Sequence, residues 1–290
     1  MIDKVYNSSI SRKKLARRIT VGTVIKYIFL ICASIITLLP ISTVVFGSFK
    51  TSQEFASLGP FQLPSSLNFE NYKEVLVKGN MIRAFFNTAI QLFFIAGGTV
   101  LIGTMSAYVL HRFNFKFKKI VLALFLGITL IPAIVTNVST FQIIEAMGIY
   151  NTRLSGIALG VGTDIIAIYI YLQFLDSISI SLDESATIDG ASYLTIFFRI
   201  ILPLLKPATI TVLIIKCVNV YNDFYTAFLY MPKPELAVIS TVLFKFKGPY
   251  GTKWEVICAG IMIAVIPTLI VFVALQKHIY NGFVSGAVKQ

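Results

Sequence analysis

Between two apolar runs the chain reads DESATIDGASYLTIFFRIILPLLKP, Asp183 to Pro207. Ser181, followed by Leu182-Asp183-Glu184, fits a capping box, in which the Ser hydroxyl and the Glu carboxylate satisfy each other's backbone amides, so a short helix is predicted to start there. Gly190 suits the left-handed position that ends such a helix. Ala191 to Ile201 is then expected to form a second helix, stopped by Pro203 and Pro207. Leu182, Ala186 and Asp189 share one face of the first helix, and Leu194, Phe197, Phe198 and Ile201 give the second an apolar side. The stretch therefore predicts two short helices at a glycine elbow, the first facing another protein and the second packing beneath apolar spans.

The flanks define the solvent. Hydrophobic residues make up 56% of the 290 and charged residues 13%, against roughly 25% charged in a soluble domain; mean hydropathy is +0.81. A bilayer core about 30 Å thick takes roughly 20 apolar residues as a helix. Six such windows are present, Val24 to Phe46, Phe85 to Leu110, Ile120 to Val138, Ser155 to Leu175, Pro207 to Phe228 and Trp254 to Leu275. The runs are continuous rather than alternating, which favours helices over barrel strands. The expectation is an all-α polytopic membrane protein, residues 1–290 forming a single transmembrane domain, with a polar loop at 181–206 and kinks at Pro40, Pro132 and Pro267.

Basic residues orient it. Lys4, Arg12, Lys13, Lys14, Arg17 and Arg18 precede the first span, and Arg112, Lys116, Lys118 and Lys119 follow the second. Short basic flanks stay cytoplasmic, which predicts both termini inside a bacterial cell membrane. The net charge of +12 is spread over both faces and flanks the spans, so it suits topology and anionic lipid rather than nucleic acid. The first apolar run is too long for a cleaved signal peptide and lacks a small-residue exit. Cys32, Cys217 and Cys258 all fall within spans without metal-ligand spacing, and say nothing of redox compartment.

Glu184-Ser185-Ala186, Asp189-Gly190-Ala191 and Ile200-Ile201-Leu202-Pro203 resemble the "EAA" loop of permease subunits of binding-protein-dependent ABC importers, with Ser185 where Ala is usual. In that family the loop is a coupling helix seated in a cleft of a cytoplasmic ATPase. The resemblance thus implies ATPase-coupling roles for Ser181, Glu184, Ser185, Ala186, Asp189, Gly190, Ala191 and Pro203. Asn71-Tyr72, Phe86-Asn87-Thr88, Ala107-Tyr108, Arg112-Phe113, Tyr221-Asn222-Asp223-Phe224, Gln276 and Gly282 are similar to carbohydrate permeases of the maltose-transporter type. Gly286-Ala287-Val288-Lys289 resembles a tail that reaches the ATPase interface, and Met231 to Lys253 resembles the loop that probes the external binding protein. The implied assembly is this chain, a second homologous permease, an ATPase dimer holding ATP and Mg, and an extracytoplasmic sugar-binding protein.

The chain's own chemistry is sparse. No Gly-rich phosphate loop with Lys-Ser/Thr occurs, so ATP hydrolysis belongs to a partner; no catalytic constellation, metal cluster or bound cofactor is indicated, and His111 and His278 sit at membrane edges without ligand neighbours. Asp164, Lys216 and Asp223 lie in or near spans, where charge requires a cavity or a partner. Lys216 and Asp223 are about 10 Å apart along one helix and do not pair. Lys216 is then expected either to snorkel towards the cytoplasm or to line a path, and Asp223 either to cap the outer end or to line it. Asn137, Asn219, Tyr221, Asn222, Asp223 and Tyr225 supply the amide, carboxyl and aromatic groups that sugars require. The rivals are a permease for another solute, which would share the coupling loop, an ion-coupled carrier using Asp164 and Asp223, and a membrane-embedded enzyme. The carrier would not need the Glu184 to Pro207 element, and the enzyme lacks a reactive constellation.

Overall fold

The computed structural model describes residues 21–287 apart from 163, 249 and 250; for 21, 133, 275 and 277–287 it describes the backbone alone. The order is α1 (Val21–Phe49), α2 (Ser52–Ser57), α3 (Glu70–Val77), α4 (Met81–Arg112), α5 (Lys118–Thr129), α6 (Ala133–Ala146), α7 (Arg153–Val161) and α8 (Ile165–Leu175). Then come α9 (Ser181–Ile188), α10 (Tyr193–Ile196), a π turn (Phe197–Ile201), α11 (Leu202–Leu204), α12 (Lys206–Asn222) and α13 (Tyr225–Tyr230). Two 3-10 turns, Pro234–Leu236 and Leu243–Phe246, flank α14 (Ile239–Val242); a hairpin of β1 (Lys247–Gly248) and β2 (Gly251–Thr252) precedes α15 (Trp254–Ala287).

Among the described residues, four helical stretches are long and apolar enough to cross a membrane: α1, α4, the α7–α8 run and α15 up to Ala274. Two bent pairs raise the number to six if each crosses once, α5 with α6 (105°) and Tyr193–Leu204 with α12 (74°). The molecule is an all-α polytopic membrane protein. The expected continuous helix from Ile120 to Val138 is broken at Leu130–Pro132, because Pro132 takes extended backbone (ψ 130) and starts a new helix rather than kinking an old one. Pro40 and Pro267, by contrast, stand inside α1 and α15 without ending them.

α4 is the axis of the packing. One buried cluster surrounds its C-terminal end, with Ala107, Tyr108 and Leu110 against Ile168, Tyr171, Leu175, Ala186, Phe197 and Ile201. Another surrounds its N-terminal end, where Met81 and Ala84 meet Val75, Ile239, Val242, Phe246 and Val256. Between them α7 and α8 approach closely through small residues, the usual solution where lipid offers no hydrophobic drive. A Cβ on Gly160 would lie 2.5 Å from Ile95, one on Gly98 2.7 Å from Val161 and one on Gly103 3.2 Å from Tyr171. The polar loops sort accordingly: 113–117 and 176–192 gather at one end of α4, while 50–80, 231–248 and 251–253 gather at the other, joined by the Lys253–Glu74 ion pair at 2.8 Å and by Lys245 Nζ donating to Gly79 O at 3.4 Å.

Candidate functional site

α9 stands at the C-terminal end of α4 and ends as Gly190 permits. Gly190 has φ +82, its N–H donates to Thr187 O at 3.0 Å, and Ala191 N–H reaches back to Ala186 O at 2.9 Å. These two bonds form a Schellman closure, and they satisfy carbonyls that the helix end would orphan. The start differs from the expected capping box. Ser181 makes no cap to Glu184; its N–H donates to the Ser179 hydroxyl at 3.3 Å, and the two serine hydroxyls lie 2.7 Å apart.

Of the face expected to meet a partner, Leu182 and Asp189 are exposed but Ala186 is not. Asp183 and Ala186 turn inward, 9% and 8% exposed, whereas Ile188 is 86% exposed and Leu182, Glu184 and Ser185 are exposed beside it. The cause is a charge clamp. The Tyr108 hydroxyl donates to Asp183 Oδ1 at 2.8 Å, and Arg112 Nε stands 3.1 Å from Asp183 Oδ2. Arg112 Nη2 donates to Ile178 O at 2.9 Å, and His111 Nε2 lies 2.8 Å from Asp176 Oδ1. Tyr108 is further walled by Phe113 and Phe197. One turn of α4 thus holds the whole approach to α9.

Beyond the elbow, Ser192 caps α10 by accepting from Thr195 N at 3.3 Å. Helix then continues through Pro203, which was expected to stop it. The π turn accommodates the ring: Leu202 N–H reaches Phe197 O, five residues back, where the ladder would otherwise meet a residue without an N–H. Ile196, Phe197 and Ile201 are buried, while Leu194 and Phe198, expected inside, are 62% and 49% exposed. Pro207 occupies the first turn of α12, so it starts that helix instead of ending the one before.

A cavity of 410 Å³ opens between α4, α7, α12 and α13, lined by Gln91, Gly156, Lys216, Asn219, Asn222, Asp223 and Thr226 among others. It brings together three of the six residues that sequence chemistry singled out for a sugar path. Asn222 Nδ2 donates back to Val218 O at 2.9 Å, and Asp223 Oδ1 accepts from Thr226 N at 3.0 Å, bridging the gap between α12 and α13. Tyr221 turns away and donates to Ala264 O of α15 at 2.6 Å. Tyr225 and Asn137 bond each other at 2.8 Å, tying α13 to α6 outside the cavity lining.

Lys216 neither snorkels nor stands alone. It donates to Asp164 Oδ2 at 2.9 Å, and Asp164 Oδ1 simultaneously accepts from Ala167 N at 3.0 Å as the cap of α8. Side-chain exposures of 17% and 20% leave the pair half-buried at the cavity wall. Among the described residues no group of three or more His, Cys, Asp or Glu side chains is placed to hold a metal ion. Of the expected tail, Val288 and Lys289 lie outside the described residues, and Gly286 and Ala287 are described only as backbone in the last turn of α15.

A family model described as the inner membrane component of binding-protein-dependent transport systems matches residues 99–284. The chain belongs to this family. The match takes in α9, its elbow, the cavity helix α12 and most of α15. The permease is 31% identical over 253 residues to the melibiose/raffinose/stachyose import permease protein MelC of Bacillus subtilis, covering 87% of this chain and 91% of that one. It is 31% identical over 275 residues to the probable starch degradation products transport system permease protein AmyC of Thermoanaerobacterium thermosulfurigenes, covering 91% and 97%. Its fold superposes, with a TM-score of 0.78, on a chain of a bacterial ABC transporter involved in the import of the acidic polysaccharide alginate; the match covers 90% of this permease and 97% of that chain at 21% identity.

Proposed function

We propose that this permease is one of two homologous subunits that together form the translocation path of an ATP-driven sugar importer. Both termini face the cytoplasm, an ATPase dimer holding ATP and Mg docks on α9, and an external binding protein delivers the sugar at the 231–253 end. ATPase closure pulls the Ser181 to Tyr193 element, the spans open outward, and hydrolysis resets them inward. The chain itself performs no chemistry. The observation that carries this function is α9: a short helix outside the spans, clamped from within through Asp183, that presents exposed Ile188 and Leu182 to solvent. Apolar side chains so exposed on a rigidly held element suit a protein partner.

A saccharide is favoured as cargo because full-length relatives are named for sugar and starch-product import, and because amide and carboxyl groups line the cavity. The experiment is reconstitution of the purified complex with its binding protein and measurement of ATP-dependent uptake of labelled oligosaccharides. Uptake of at least one oligosaccharide, with none in the absence of the binding protein, is the expected result. Binding-protein-dependent uptake of amino acids or peptides instead would overturn the sugar assignment.

A further inference from the structure

We propose that α4 is the member that carries motion of the ATPase-facing element directly to the outer loop, with Tyr108 and Arg112 as positioning residues at one end and Asn87, Thr88 and Gln91 at the other. This rests on the reading of α9 as the ATPase contact and adds a route by which that contact reaches the opposite side of the membrane.

The outer end of α4 grips the loop as firmly as the inner end grips α9, and by main chain. Asn87 Nδ2 donates to both Glu235 O and Ala237 O at 2.9 Å, and its Oδ1 accepts from Arg153 Nη2 at 3.0 Å. The Thr88 hydroxyl accepts from Ile239 N–H at 3.0 Å while donating to Ala84 O at 2.9 Å. Gln91 Nε2 lies 3.0 Å from Met231 Sδ. Asn87, Thr88 and Gln91 are 2%, 3% and 7% exposed, so these bonds are shielded from water. α4 holds this part of the loop by its backbone, and Phe244, Lys245 and Lys247 further along the loop are exposed.

The shaft between the two grips is suited to the task. From Asn87 to Tyr108 it spans 21 residues, about 32 Å at 1.5 Å per residue. α4 contains no proline and no break over 32 residues. The other apolar stretches differ: Pro40 stands inside α1 and Pro267 inside α15, each removing a backbone donor from its helix, α5 and α6 meet at 105°, α7 and α8 are separate helices, and α12 follows a 74° bend. Gly97-Gly98 would be the natural weak point. Gly98, however, seats Val161 against the helix, and the helix runs through it unbroken. A displacement of α9 through Asp183 therefore reaches Glu235–Ile239 through one uninterrupted helix.

Two residues about 32 Å apart without a shared partner are expected to act additively when substituted, and residues on one transmission line are not. The test uses the reconstituted full complex with its binding protein and reads sugar transported per ATP hydrolysed. Thr88→Val keeps shape and removes the acceptor for Ile239 N–H; Asp183→Asn weakens the inner clamp. Each is expected to lower the ratio about tenfold, the double variant is expected to fall no further than the worse single one, and Thr88→Ser, which keeps the hydroxyl, is expected to match wild type. If Asp183→Asn does not assemble, Tyr108→Phe, which loses a single hydrogen bond, takes its place. Multiplied losses in the double variant, or an unchanged ratio in Thr88→Val, would overturn the transmission role. Ile188→Glu, on the exposed face of α9, is run in parallel: retention of normal ATPase binding there would instead sink the assignment of α9 as the ATPase contact.

Discussion

Asp183 and Asp164 are both carboxylates joined to a cation from a distant helix, yet they sit in different surroundings. The Asp183–Arg112 side chains are 12% and 5% exposed, flanked by a tyrosine hydroxyl and aromatic rings, and the guanidinium also holds the Ile178 carbonyl. The Asp164–Lys216 pair is 20% and 17% exposed, and Lys216 faces a 410 Å³ cavity. An arginine fork that serves both a carboxylate and a carbonyl fixes geometry; a lysine with one carboxylate partner is a point charge that can exchange it. The first pair is built as a rivet between α4 and α9. The second is a polar wall of the cavity that also caps α8.

That contrast orders what substitution does. Arg112→Gln leaves Asp183 buried without its cation, so it is expected to destabilise by about 3–5 kcal/mol and to strip the ATPase from the purified complex. Thermal unfolding in detergent, read alongside co-purification, checks this; a complex that keeps both its melting temperature and its ATPase would erase the distinction. Asp164→Asn strands Lys216 within the spans at on the order of 2.5–3.5 kcal/mol. The double change Asp164→Asn with Lys216→Met removes both charges and is expected to recover expression and melting temperature while altering uptake. A double variant as unstable as Asp164→Asn alone would show that the pair, like the inner one, is a rivet.

The smallest effect belongs to a third carboxylate that faces open water. Glu54 accepts from Thr51 N–H at 2.9 Å and from both the N–H and the hydroxyl of Ser65. Led by the Ser65 hydroxyl bond, these contacts hold its pKa down at about 2, below the ordinary 4.5. A depressed carboxylate contributes above its unfolded pKa and loses that contribution as pH falls. The 51–65 loop is therefore expected to loosen only between about pH 4.5 and 2, with protease nicking near Ser65 rising in that window and Glu54→Gln nicked already at neutral pH. Equal nicking of both proteins at neutral pH would remove this contribution.

How legible each feature was depends on how far apart in sequence its parts lie. The all-α, multi-span character follows from continuous apolar runs, and the elbow at Gly190 follows from a conformation that side chains other than glycine rarely adopt. The start of α9 misleads because Ser181 to Glu184 has the capping pattern while Asp183 is drawn to Tyr108 and Arg112, more than 70 residues earlier. A capping box does form at Thr51 with Glu54, where no distant charge competes. The same limit hides the partner of Lys216, 52 residues away at Asp164. Tyr221 looked like a path residue beside Asn222. It instead bonds a carbonyl of α15, next to the one that Pro267 leaves without its helical donor. A positive residue in a span, such as Lys216, is the signal that a distant acid must be sought.

The central claim, that α9 is where the ATPase acts on this permease, is tested most directly by a photo-crosslinking side chain at Ile188, which is 86% exposed at the end of that helix. In membranes carrying the complete transporter, illumination is expected to join the permease to the ATPase subunit, with a yield that changes when ATP and vanadate trap the closed state. A crosslink only to the external binding protein, or labelling of Ile188→Cys by an impermeant reagent added outside intact cells, would contradict it.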